Sequence, residues 1–135
     1  MPQQTNRTNN CWTVAIDEID KCGALKELDE KKMVDLANEI GKDMKKIKTA
    51  QLRRFFDEMK RIESSYDKSS VQMLRPRLAY AAGREKDRNK QSILKAFFDI
   101  IEASISKIKG EEDFKKLVKF VEAILAYHKF HGGSD

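Results

Sequence analysis

From residue 25 onward, apolar side chains recur every three or four positions and nowhere alternate, which confines the chain to amphipathic helices. Only six Gly and two Pro interrupt 135 residues, so the helices are long. The first is expected from Leu25 to Met44, with Leu25, Leu28, Met33, Leu36 and Ile40 on one face and Gly41 ending or bending it. In the second, capped by Thr49, Leu52, Phe55, Phe56, Met59 and Ile62 form a stripe opposed by Arg53, Arg54, Lys60 and Arg61. The third carries Val71, Leu74, Leu78 and Ala81 inward and ends at Gly83. With Ser69 or Ser70 as its cap, Pro76 falls deeper than the first turn, so a displaced start or a kink is expected.

The fourth helix, 85–109, is apolar around more than half its circumference through Ile93, Leu94, Phe97, Phe98, Ile100, Ile101, Ile105 and Ile108. Such a surface marks either a central core helix or one that also meets another subunit. The fifth, 111–131, opens with three acids at its positive end and closes on Gly132 and Gly133. The expected fold is an all-α, single-domain bundle of about five helices over residues 25–133. Residues 1–24 read as a polar, partly disordered segment: 1–10 form a structureless tail, and Trp12, Val14, Ile16 and Ile19 begin an ordered stretch of undefined type.

The net charge of +5 is unevenly spread. Residues 1–41 are net −3, residues 42–61 and 75–95 are each net +5, and 62–74 and 96–135 are each net −1. Two basic blocks on helices suit a polyanion, or are simply solvated faces. Asp57 and Glu58 are placed to pair locally with the cations around them. Cys11 and Cys22, without a CxxC or a nearby His, fit a reducing compartment. With no apolar run of eighteen residues and no leader pattern, a soluble, cytoplasmic protein is the expectation.

No catalytic constellation emerges. His128 and His131, with Asp135, could hold a metal only weakly, and a surface or helix-ending role suits the histidines better. No Gly-rich phosphate loop is present, and the acids fit helix termini or outward faces. No enzyme activity, cofactor or metal is expected.

Three stretches, KIKTAQLRRFFDEMKRIE (46–63), LRPRLAYAAGR (74–84) and FVEAILAYHKFHGG (120–133), together resemble the small subunit of the type III-A CRISPR effector, the Csm complex of prokaryotic antiviral defence. The resemblance covers roughly residues 46–133. It implies a small helical protein without catalytic activity, stacked in several copies beside the guide-bound backbone subunits. Its basic groove would help to hold single-stranded target RNA close to the guide–target duplex. The partners implied are RNA, other copies of the chain, and the backbone and large subunits, with no membrane.

On the matching motifs, phosphate contacts are expected from Arg53, Arg54, Arg75, Arg77, Arg84 and Lys129, with Lys48, Lys60 and Arg61 as further candidates. Tyr80 and Tyr127 are either base-stacking or packed in the bundle. Arg77 could instead pair with an acid across the bundle, and Arg84 could cap helix carbonyls. Phe97, Phe98, Phe120 and Phe130 are either core or contacts to a neighbouring copy. The alternative function is a protein–protein adaptor that assembles through the apolar helix 85–109.

Overall fold

The computed structural model of the chain describes residues 10–134. Short acidic and amide side chains decide where most of the helices begin. Asn10 accepts from the Thr13 amide at 2.9 Å and starts α1, Cys11–Asp20. Asp29 does the same for the Lys32 amide at 3.0 Å and starts α2, Glu30–Asp43. Asp67 caps α4, Lys68–Arg84, and Asp87 caps α5, Arg88–Ile105. Each satisfies backbone donors that the first turn leaves unpaired. Helix α3 spans Thr49–Ser64, and α6 spans Glu111–Phe130.

The fold is all-α, with six α-helices among the described residues rather than about five. The additional one is α1, inside the stretch read from sequence as polar and partly disordered. It belongs to the bundle because Ala15 and Ile19 are fully buried in the core. The structureless tail expected over 1–10 lies, Asn10 apart, outside the described residues.

Three helix starts differ from the sequence reading. Leu25 and Leu28 belong to a 3₁₀ turn at Leu25–Glu27 and its cap, because Asp29 restarts the helix behind them. Thr49 does not cap α3: its hydroxyl donates to the Ser134 carbonyl at 2.8 Å, and Lys48 stands at the cap position without a side-chain bond. Asp67, not Ser69 or Ser70, caps α4, so Pro76 lies well inside the helix. Pro76 and Gln72 are both exposed, which leaves the carbonyl freed by the missing N–H close to solvent.

Helix α6 is the hub, packed on α2 and on α3, while α4 packs on α5 and α1 bridges α5 to α2. The α2–α6 crossing is close because residue 41 has no side chain. A Cβ there would meet the His128 amide nitrogen at 2.7 Å and the Tyr127 carbonyl carbon at 2.9 Å. Gly41 therefore does not end α2, which runs on to Asp43; it admits its neighbour. Most of the wide apolar surface of α5 lies inside the protein, with Leu94, Phe97, Ile100, Ile101 and Ile105 buried and Ile93 and Phe98 partly so.

The end of α6 is tied down by several bonds. Gly132 adopts φ +93°, a left-handed conformation suited to glycine, and turns the chain back. The Ser134 amide then donates to the Lys45 carbonyl at 3.2 Å, and the Ser134 carbonyl accepts from the Thr49 amide at 2.7 Å. His128 is not at the surface, as expected from sequence, but fully buried. Its Nε2 lies 2.7 Å from the Ile47 carbonyl oxygen, an acceptor, so Nε2 carries the proton. His131 Nε2 contacts Asn38 Oδ1 at 2.6 Å. His128 therefore fastens α6 to the turn between α2 and α3, and His131 fastens the end of α6 to α2.

Asp113 performs a similar task at the other end of α6. Its buried carboxylate accepts from the amides of Lys26 and Lys109, both at 2.8 Å, and of Gly110 at 3.0 Å. Burial alone raises its pKa, but these backbone donors outweigh that and hold it below the ordinary aspartate value. A depressed pKa contributes stability above the unfolded-state value near 4, lost as pH falls through the lower folded value. Asp113→Asn is thus expected to lose about 2 kcal/mol at pH 7. Its deficit against the wild type should shrink below pH 4. Chemical denaturation at pH 7 and pH 3 tests this; an equal deficit at both would contradict it.

Among the described residues, no helix is long and apolar enough to cross a membrane, and no group of three or more His, Cys, Asp or Glu could hold a metal. Cys11 and Cys22 are free thiols. Burial, reinforced by the Asp43 carboxylate, pushes Cys11 up to about 12, so it stays protonated and a poor nucleophile.

Candidate nucleic-acid interface

From the cap residue Lys48 into α3, Gln51, Arg54, Phe55 and Glu58 follow at helical spacing; on α4, Arg77, Ala81 and Arg84 do the same. These two faces look at each other across a cleft of about 670 Å³. Leu52, Phe55, Leu78, Ala81, Leu94 and Phe97 line it on the apolar side. Lys48, Arg54, Arg77, Arg84 and Lys86 line it with positive charge, against Glu58 and Glu85. Helix α3 has no acid in its first turn, so its positive end adds to the same field.

The cations are not equivalent. Arg77 Nη1 is 2.9 Å from Glu58 Oε2, and Arg61 Nη2 is 2.8 Å from Glu58 Oε1. One carboxylate thus occupies two guanidinium groups. Arg84 lies over the Tyr80 ring, 5.7 Å from its centroid. Lys48, Arg54 and Lys86 are exposed and make no ion pair among the described residues.

Of the nine cations singled out from sequence, the cleft brings together Lys48, Arg54, Arg77 and Arg84. Arg53 is exposed on α3 but does not line it. Arg75 points to the other side of α4, where its Nε meets Glu102 Oε2 at 2.9 Å and its Nη1 donates to Gln72. Lys60 pairs with Glu63 at 3.1 Å, rather than with Asp57. Arg61 is held by Glu58, and Lys129 is exposed on α6 outside the cleft.

The two tyrosines part company. Tyr80 is 69% exposed on α4 beneath Arg84, which lines the cleft. Tyr127 is half-buried, packed between Phe130 and His131 and against Gly41. The phenylalanines divide similarly: Phe97 and Phe120 are core, Phe98 is partly buried, and Phe130 is 78% exposed. Sequence reasoning missed Lys86, although it sits in the second basic block. It also missed Gln51 and the outward role of Phe55, whose position in the apolar stripe looks like core.

The family model for Csm2 of type III-A matches residues 27–134, which takes in α2 to α6, the whole cleft and the C-terminal tie. The chain belongs to the Csm2 type III-A family. A curated relative from Streptococcus thermophilus, described as CRISPR system Cms protein Csm2, is 35% identical over 64% of this chain and 74% of its own length. No solved structure gives a significant match. Membership makes the protein a small subunit of the type III-A CRISPR effector and associates it with other subunits of the Csm complex. Helix α1 lies outside the matched region, so the Csm2 match begins where the 3₁₀ turn ends.

Proposed function

We propose that the α3–α4 cleft holds single-stranded target RNA by its phosphates, beside the guide-bound backbone subunits, and that this subunit performs no chemistry itself. The supporting observation is the convergence of Lys48, Arg54, Arg84 and Lys86 on one cleft, none of them in an ion pair among the described residues. Arginine forks and lysine point charges suit phosphate oxygens. Such contacts place a strand without reading its bases, which suits an effector whose sequence specificity comes from guide pairing. Few contacts per copy suffice where several copies line up along one strand, since linked sites multiply their affinity. Most of the apolar width of α5, which motivated the adaptor reading, faces the core, while Ile93 and Phe98 are only partly buried.

A salt titration of single-stranded RNA binding tests the proposal. Four phosphate contacts predict log K falling against log salt with a slope of about −3. A slope near zero would remove the electrostatic basis. Glu58→Gln supplies a more pointed prediction, since it releases Arg77 and Arg61 and deletes a negative charge from the cleft. Affinity should rise and the slope should steepen by about 0.7 for each guanidinium that reaches a phosphate. Weaker binding by a folded Glu58→Gln protein would mean that Glu58 holds Arg77 in its working position.

A further inference from the structure

Holding phosphates requires cations and no apolar surface, yet one side of the cleft is built from Leu52, Phe55, Leu78, Ala81 and Leu94. Phe55 is the accessible aromatic among them. It is only partly buried, while Phe97 beneath it is 1% exposed. The two rings meet edge to face, centroids 5.6 Å apart and planes at 77°, which fixes the orientation of Phe55. One turn before it, Gln51 stands on the same cleft with no side-chain partner among the described residues. Its amide offers both a donor and an acceptor. The volume, about 670 Å³, falls within the roughly 300–1,000 Å³ of small-ligand sites and is far too small for a duplex.

We infer that the cleft seats one unpaired nucleobase of the bound RNA against Phe55, with its polar edge at Gln51, while Arg54 and Arg84 hold the flanking phosphates. The inference rests on the RNA-holding reading above and adds the base to it. An apolar side chain from a protein neighbour would match the floor but not the cations around it; a base carried on a phosphate backbone matches both. Every base has a π-face, so stacking on Phe55 tolerates any sequence. Gln51, able to donate or accept, tolerates different base edges in the same way. The site therefore grips a strand beyond its charge without competing with guide pairing for specificity.

The test compares two RNAs of equal length on the full chain: an oligouridine, and the same oligomer with abasic ribose at every second position. Both carry the same phosphates. The abasic oligomer is expected to bind about 5- to 150-fold more weakly with the same salt slope, since base–aromatic stacking is worth roughly that factor. Phe55→Leu, which keeps apolar volume under the cleft but removes the ring, should bind both oligomers alike and as weakly as the wild type binds the abasic one. Equal affinity of the wild type for the two oligomers would overturn the base site and leave phosphate holding intact. A preference that survives in Phe55→Leu would place the stacked base elsewhere and overturn the inference as well. If neither oligomer binds in a salt-dependent way, both readings fall. The abasic comparison needs no variant, so a poorly folded Phe55→Leu protein does not rescue the idea.

Discussion

Replacing Arg54 and Arg84 together by glutamate is expected to weaken single-stranded RNA binding about 100-fold at low salt and to flatten the salt slope by about 1.4. Each charge-assisted hydrogen bond is worth about 1.5–3 kcal/mol, and the low end applies because both side chains are solvent-exposed. The slope change follows from two lost phosphate contacts at about 0.7 each on a single strand. Both residues lie on helix surfaces, where charge changes usually move stability by no more than about 0.5 kcal/mol. An unchanged thermal midpoint would therefore show that binding, not folding, was lost. Arg53→Glu is the informative control. It changes the neighbouring charge on α3 but does not touch the cleft, so its effect should be a small fraction of that of the pair. Equal losses from Arg53→Glu and the cleft pair would mean that the strand runs along the outer face of α3.

The largest effect on stability is expected from one methyl group. In Gly41→Ala, the new carbon would sit 2.7–2.9 Å from backbone atoms of α6, which cannot swing aside as a side-chain tip would. Overpacking of this kind costs about 2–3 kcal/mol. For a chain of this length that lowers the thermal midpoint by about 7–11 °C. Gly83→Ala is the matched control within α4, where an added carbon meets nothing within 4 Å. Relief of glycine's backbone entropy should stabilise that variant by up to about 1 kcal/mol. Differential scanning calorimetry of the two variants measures both. Similar midpoints for Gly41→Ala and the wild type would mean that the α2–α6 crossing is not close in solution.

Periodicity exposed five helices because their apolar stripes persist over several turns, as in Phe114, Leu117, Val118, Val121 and Ile124 of α6. It could not type α1, whose ten residues are too few for a decisive pattern and whose cap, Asn10, lies in a polar run. Caps were legible only in part. Thr49 looked like one because threonine before an apolar run usually is, yet its hydroxyl serves Ser134, 85 residues away. No local rule carries that information.

The candidate site shows the same division. The seven-residue spacing of Arg77 and Arg84 put them on one face of α4, as the structure has it, and the local pairing of Arg61 with Glu58 followed from their separation by three. That Glu58 also binds Arg77, nineteen positions on, needed the tertiary packing of α3 beside α4. The sequence left open whether Arg77 pairs across the bundle, and it does. Phe55 was hidden for a different reason. A side chain at the border of an apolar stripe obeys the same period whether it faces the core or a cleft.

The two walls of that cleft are anchored to different partners: α3 rests on α6, and α4 rests on α5. Direct contact between α3 and α4 is sparse, and the links across the cleft include the Arg77–Glu58 ion pair and the Phe55–Phe97 ring contact. Away from the cleft α1 joins α5 to α2, but along the cleft itself the α3–α4 seam is thin, and subglobal opening begins at such seams. A polyanion gripped by Lys48 and Arg54 on one wall and by Arg84 and Lys86 on the other becomes a brace across the joint. Amide hydrogens near the seam should then exchange more slowly once the strand is in place, while those of the α2–α6 crossing, already locked by Gly41, keep their unbound rates.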